Sequence, residues 1–413
     1  MNTLIKSSLA FSMLASIAYT APASAATFTG EGTAAGAQCL SRGVNNAGIV
    51  VGNCKPGNSS GPSTAWVALT PGVETPLTPL VSGQSCAPQM IDNSGQIGGV
   101  CKTADNRSTA VVWNSASPGT AAVALPAVSI FGTGLLAETY TLISAYNHSG
   151  VFAGGSFSGT HVATAVLWFP GSPVPLQLSA LHDACLPASV NNTPISGVPS
   201  TVINCPDPAT GNLVGKIVQK TGLLGALVTT TLPVPAGSTH CSVSGINDAV
   251  QMLGTCHFTA PDVSRVVYWA SPSAAPVQLS TISGVSGTPQ ISSNGLNNNG
   301  NAVVSYQDNV GHKQLAFWIP STGTTQLIPE IPGGTHIRFV GLSDNDTVAL
   351  TSENAGEHSQ AGTWTSAGGT AAIPQFAGGQ ESGLTAISAN GAYVAGGAED
   401  SAGTDDAVVA TLP

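Results

Sequence analysis

The sequence predicts an all-β fold, an eight-bladed β-propeller built from four-stranded blades. Three periodic features carry that prediction: an Asn/Asp-rich turn that recurs eight times, a tryptophan at a fixed distance after the turn, and cysteine pairs centred on it. Repeats of about 40–50 residues mark propellers and solenoids.

The turns read GVNNAG (43–48), MIDNSG (90–95), AYNHSG (145–150), SVNNTP (189–194), GINDAV (245–250), GLNNNG (295–300), GLSDND (341–346) and AISANG (386–391). Their last positions lie 44 to 56 residues apart. Eight such units fill residues 26–413 as one domain. Asn or Asp opening a short turn, with Gly closing it, suits a type I turn or a related tight hairpin. The side-chain oxygen satisfies nearby backbone N–H groups, and Gly accepts positive φ. The flanking runs alternate apolar and polar residues and are read as strands a and b. A third strand c follows in STAWVAL, TAVVWN, TAVLWF, RVVYWA, LAFWIP and AGTWTS. A short strand d is seen in PLTPL, PVPLQL, APVQL and TTQLI. Four strands per unit make a propeller blade.

Trp66, Trp113, Trp168, Trp269, Trp318 and Trp364 all fall eighteen or nineteen residues after the turn-closing position. A row of exposed indoles would form a sugar-stacking platform. One tryptophan per unit at a fixed strand position argues instead for core between blades, because burial makes best use of the large aromatic area.

Cys39/Cys54, Cys86/Cys101 and Cys241/Cys256 are each fifteen residues apart and centred on an a–b turn. Facing residues in an antiparallel hairpin share a constant index sum, so each pair is expected directly across the two strands. Cys185 and Cys205 flank the SVNNTP turn with five extra residues. Four disulfides follow, as an even count in an exported chain implies. A zinc site would need CxxC-like clustering, which is absent.

Residues 1–25 read as a secretory signal, with Lys6 ahead of the apolar run Leu9 to Tyr19 and small residues Ala23-Ser24-Ala25 at the cleavage site. No later apolar run is long enough to span a bilayer. The chain is therefore expected to be secreted or periplasmic. The last unit stops at DAVVATLP, which aligns with strand c, so the eighth blade lacks strand d. The segment ATFTGEG is free to supply it, which would join the two ends in one blade and cover the open edge.

Ten Lys and Arg stand against twenty Asp and Glu, a formal net charge of −10. That balance excludes the electrostatic footprint of a nucleic-acid binder. It also excludes the basic patches that hold proteins on anionic membranes.

The pattern INxxGxVVG followed by AxxW, carried by GVNNAGIVVG, MIDNSGQIGGV, GINDAVQMLG, AVVW, AVLW and VVYW, resembles the bacterial extracellular repeats called HAF repeats. The resemblance runs over essentially all of residues 26–413. It implies a propeller-like fold and adds nothing about chemistry. Units four and five depart from the pattern, with Thr193-Pro194 and Ala249-Val250 at the turn's end, and unit four has no tryptophan.

In a four-stranded blade the b–c and d–a connections share one face. Seven of the eight histidines fall in those segments, and His148 sits in an a–b turn. The densest polar group comes from units six and seven: Tyr306, Asp308, His312, Lys313, His336, Arg338, Glu353, Glu357 and His358. Two function classes compete. One is a monomeric binding or scaffold protein that recognises an extracellular glycan or protein through this face. It needs no cofactor, and Asp308, Lys313, Glu353 and Glu357 are its candidate binding residues. The other is a polysaccharide lyase or glycoside hydrolase, with Tyr306, His312, His336, Arg338 and His358 as catalytic candidates. There a His or Tyr would take the proton beside a uronate carboxylate while Arg or Lys holds its charge. Two or three histidines with a carboxylate would also hold a metal, but no ligand spacing marks one and none is expected. GxSxG, HExxH, P-loop and DxDxDG motifs are all absent.

Overall fold

The computed structural model describes residues 26–31, 37–57, 61–128, 139–159, 161–195, 197–221, 225–260, 262–286, 291–308, 310–354 and 356–413. The expected signal segment, residues 1–25, lies outside the described residues. Every regular element among the described residues is a β-strand, and the strands form eight four-stranded antiparallel sheets. The fold is the eight-bladed propeller that the repeats predict.

Blades one to seven occupy residues 37–76, 86–124, 140–177, 186–231, 238–279, 291–328 and 337–372. Blade eight takes strands a, b and c from residues 378–411 and its outer strand from Phe28–Gly30. Phe28 faces Ala410, Thr29 faces Val409 and Gly30 faces Val408. The Glu31 N–H continues this ladder to the Ala407 carbonyl at 2.8 Å. Residues near the start of the chain thus cover the edge of its last strand.

One hydrophobic cluster fills each seam between neighbouring blades. The tryptophan of a blade packs on the blade before it. Trp113 meets Val51, Val67 and Leu77 of blade one, and Trp66 meets Ala395, Ala407 and Val409 of blade eight. None of the six tryptophans is more than 5% exposed, which rules out a stacking platform. The indole N–H groups of Trp113, Trp168 and Trp269 donate to the carbonyls of Thr78, Pro126 and Pro233 at 2.7–2.8 Å. Those carbonyls follow strand d of the preceding blade, so one side chain fills a seam and also bonds across it. The same packing explains the Gly that ends the strand-b motif. A Cβ on Gly52 would stand 2.2 Å from the Trp66 ring and 2.4 Å from the Leu40 carbonyl.

The four cysteine pairs are disulfides: Cys39–Cys54 in blade one, Cys86–Cys101 in blade two, Cys185–Cys205 in blade four and Cys241–Cys256 in blade five. Cys241 faces Cys256 directly across strands a and b, as the index sum requires. What the sum does not convey is depth. Cys256 is wholly buried and packs with Cys241 against Val202 and Ile217 in the seam between blades four and five. The pairs therefore serve as core as well as staples. Strand alternation turns Cys256 toward blade four, which places it in the packing.

The index sum, moreover, is not constant up to the turn. In blade one Cys39 faces Cys54 and Ser41 faces Gly52, but Gly43 faces Val51, which leaves Arg42 unpaired. A bulge at the same place leaves Gln89, Ser144, Ala188, Ser244, Asn294, Val340 and Thr385 unpaired in the other blades. Bulges bend and twist a strand locally. Here they re-aim one residue of every innermost strand.

The turns also bond to one another around the channel. Asn45 Oδ1 accepts from the N–H groups of Ala47 and Ile49, while its Nδ2 donates to the Asp92 carbonyl of blade two at 3.0 Å. Asn147, Asn247 and Asn297 likewise donate to Asn191, Asn297 and Ser343 of the next blade. A carboxylate at this position would keep the turn and lose the donor, which is why the amide recurs. The following position adds a second belt, running from the Asn46 N–H to Asn93 Oδ1 and from the His148 N–H to Asn192 Oδ1. It continues through Asp248, Asn298, Asp344 and the Ala389 carbonyl, and the Asn390 N–H returns it to Asn46 Oδ1. This belt lacks a link between blades two and three, where His148 offers Asn93 no side-chain oxygen.

Candidate functional site

The b–c loops of blades six, seven and eight are built alike. Asp308 Oδ1 accepts from the N–H groups of Val310 and His312, and the Asp308 N–H donates to the His312 carbonyl. Asn354 closes the same loop on His358, and Asp400 closes it on Thr404. His312 and His358 therefore occupy equivalent positions, each reaching the next blade. The His312 ring lies 5.3 Å, centre to centre, from that of His336, which immediately precedes strand a of blade seven. His358 Nδ1 lies 3.4 Å from Glu381 Oε1 in strand a of blade eight.

His336 Nδ1 is 2.7 Å from Glu353 Oε2, which also accepts from the Thr335 hydroxyl at 3.0 Å. The bond from His336, then that from Thr335, holds the Glu353 carboxyl below its ordinary value. His312 Nδ1 is 4.0 Å from Asp308 Oδ2. Lys313 is exposed at the start of strand c, and Glu357 is exposed in its loop with φ +63°. Tyr306 departs from the sequence expectation. Its strand is covered on both faces, and alternation directs Tyr306 into the core between blades five and six, where it is 7% exposed.

Arg338 parts from the histidines and lines the mouth of the channel. It shares a cleft of about 360 Å³ with Arg42, Lys55, Glu381, Glu399 and Asp405, chiefly between blades eight and one. Arg42 Nε donates to Asn53 Oδ1 at 3.0 Å, and Asn53 is only 4% exposed, so the guanidinium is anchored from below. Among the described residues neither Arg42 nor Arg338 is in an ion pair. Reading the loops alone misses Arg42, because it lies in a strand. Its sequence trace is the mismatch between the disulfide index sum and the centre of the Asn45–Ile49 turn.

His148 faces the other end of the channel, a polar space of about 420 Å³ also lined by Asn192, Asn298 and Asp344. Burial pushes the His148 imidazole down, against the opposing pull of Asp344, Asp248 and Asp92.

Ring closure brings a third polar group together. Glu31 is fully buried, and Glu31 Oε1, Glu74 Oε1 and Asp406 Oδ1 are buried oxygens with no hydrogen-bond partner among the described residues. Burial pushes Glu31 up to about 7, opposed by the Gly72 N–H on its other oxygen. Glu74 is also pushed up to about 7, by burial first and then by Glu31 and Asp406. The Glu74 carboxylate abuts the Cys39–Cys54 disulfide, whose sulfurs are bonded to each other and do not serve as thiolate ligands.

No family model matches the chain, and no curated protein matches it. Solved structures do. The β-propeller domain of the Trilobed protease from Pyrococcus furiosus aligns over 84% of this chain and 98% of its own, with 11% identity and a TM-score of 0.51. That domain is described as having an open velcro topology, whereas here Phe28–Gly30 pairs with the last strand. Porphyromonas gingivalis dipeptidyl peptidase 4 aligns over 89% of this chain, with 9% identity and a TM-score of 0.54. Prolyl oligopeptidase B from Galerina marginata also aligns over 89%, with 10% identity and a TM-score of 0.54. This chain spans 57% and 54% of those two proteins. At such identity the likeness is one of fold.

Proposed function

We propose that this chain is an exported binding propeller of the HAF-repeat kind that takes an acidic glycan at the mouth of its channel. One observation carries the reading: Arg42 and Arg338, two of only four arginines in a chain of net charge −10, line one cleft. Guanidinium forks match carboxylates in two-point geometry. Glu381, Glu399 and Asp405 in the same cleft are suited to accept hydrogen bonds from sugar hydroxyls. Four disulfides accord with an oxidising compartment, where such glycans are met.

The test is an array of uronate-containing and neutral glycans, followed by calorimetry on the hits. Acidic members should bind, and Arg42→Gln and Arg338→Gln should each weaken binding about tenfold or more, the weight of one charge-assisted hydrogen bond. Release of unsaturated or reducing products from the bound glycans would make the protein a lyase or hydrolase instead. Absence of acidic hits, or affinities untouched by both substitutions, would overturn the reading.

A further inference from the structure

We infer that His312 and His336 form a bridging site between blades six and seven for a first-row divalent ion of the zinc class. The two rings come from different blades, with centres 5.3 Å apart and planes tilted by 46°. An ion about 2.0–2.1 Å from each Nε2, with tetrahedral geometry, separates two imidazole centres by roughly 5 Å. The observed spacing therefore leaves room for an ion with little movement.

The nitrogens are sorted for the task. A bond from His336 Nδ1–H to Glu353 fixes the tautomer and leaves the Nε2 lone pair for a metal. Asp308 stands on the Nδ1 side of His312 at 4.0 Å, the same arrangement in looser form. Carboxylates behind imidazoles raise their basicity as ligands, and their charge offsets part of that of the ion. Imidazole suits zinc, copper and nickel, whereas calcium and magnesium prefer oxygen donors. Two protein ligands leave coordination positions for water or for an oxygen of a bound molecule.

A second histidine pair on the same face makes an internal control. His240 and His257 face each other across strands a and b of blade five, with ring centres 5.4 Å apart. There the carboxylate of Asp262 lies 3.5 Å from His257 Nε2 and not on the Nδ1 side. Among the described residues His240 Nδ1 meets the Thr239 hydroxyl at 2.9 Å and no carboxylate. Ring spacing is shared by the two pairs; carboxylates on the Nδ1 side belong to His312 and His336.

The experiment is zinc titration of the metal-stripped protein by calorimetry, with copper(II) paramagnetic resonance as a second readout. The wild type should take up one zinc at this site and show copper coupled to two imidazole nitrogens. His312→Gln or His336→Gln should remove that uptake and leave coupling to one nitrogen. Glu353→Gln, a change at a positioning residue, should weaken zinc by about 10- to 100-fold. His240→Gln should leave the affinity within a factor of two. The side chains of His312 and His336 are 46% and 59% exposed, so neither substitution disturbs the core, and unchanged thermal melting would verify this. The inference is overturned if the wild type binds no zinc below millimolar concentration. It is equally overturned if both His variants keep wild-type affinity, or if His240→Gln removes the binding.

Discussion

Phe28 lies directly opposite Ala410, pairing a residue near the start of the chain with one near its end. The outer strand it belongs to is three residues long, with one further backbone bond from Glu31 to Ala407. Removing residues 26–31 should cost about 3 kcal/mol at about 1 kcal/mol per backbone bond. It should also open an edge that promotes self-association. Urea unfolding and size-exclusion chromatography would check the two effects; unchanged values for both would mean that the ring holds without its clasp.

The same closure makes stability depend on pH. Burial raises Glu31 and Glu74 from 4.5 to about 7, so the folded protein keeps these protons to higher pH than the unfolded chain. Their stabilising contribution is complete below pH 4.5 and is lost as pH rises through about 7. For fully buried Glu31 the loss is on the order of 3 kcal/mol. Glu31→Gln should melt higher than wild type at pH 8 and at nearly the same temperature at pH 4.5. Melting curves that stay parallel across this range would contradict the assignment.

The belt around the channel yields a stabilising substitution. His148→Asn supplies the missing acceptor for the Asn93 N–H and should add about 0.5–1.5 kcal/mol. In contrast, Asn247→Asp keeps the acceptor for Ala249 and Gln251 but loses the donor to the Asn297 carbonyl. It should destabilise by about 1–3 kcal/mol, since it sets a carboxylate against a carbonyl. Chemical denaturation of the two variants should move in opposite directions.

Each disulfide staples two neighbouring strands. Replacing Cys86 and Cys101 by Ser, which opens a fifteen-residue loop, should cost about 3 kcal/mol. Trp168→Ala, at 2% exposure and with its indole N–H bonded to Pro126, should cost about 3–5 kcal/mol. Denaturant midpoints would measure both; a Trp168→Ala cost below 1 kcal/mol would contradict its place in the seam.

What the amino-acid sequence determined by itself is whatever repeats or obeys a local sum. Asn45, Trp66 and the Cys39–Cys54 pair recur at matching positions because every blade solves the same problem of turning, packing on its neighbour and pairing strand a with strand b. The tertiary structure decided what depends on register and on the rotation between blades. Arg42, Gln89, Ser144, Ala188, Ser244, Asn294, Val340 and Thr385 occupy one bulge position yet share no side-chain chemistry, so no pattern announces that the strand slips there. The spacing of Cys241 and Cys256 names the bond between them, but only the neighbouring blade seals Cys256 from solvent. His312 of blade six meets His336 of blade seven only because adjacent blades are set at a fixed angle about the channel, and Arg338 of blade seven shares a cleft with Arg42 of blade one across blade eight. Tyr306 shows the same limit from the other side: Gln307 beside it is polar and exposed, but the strand is covered on both faces and alternation sends Tyr306 into the seam with blade five. Local chemistry sets the unit, and the geometry of ring closure decides which units' side chains meet.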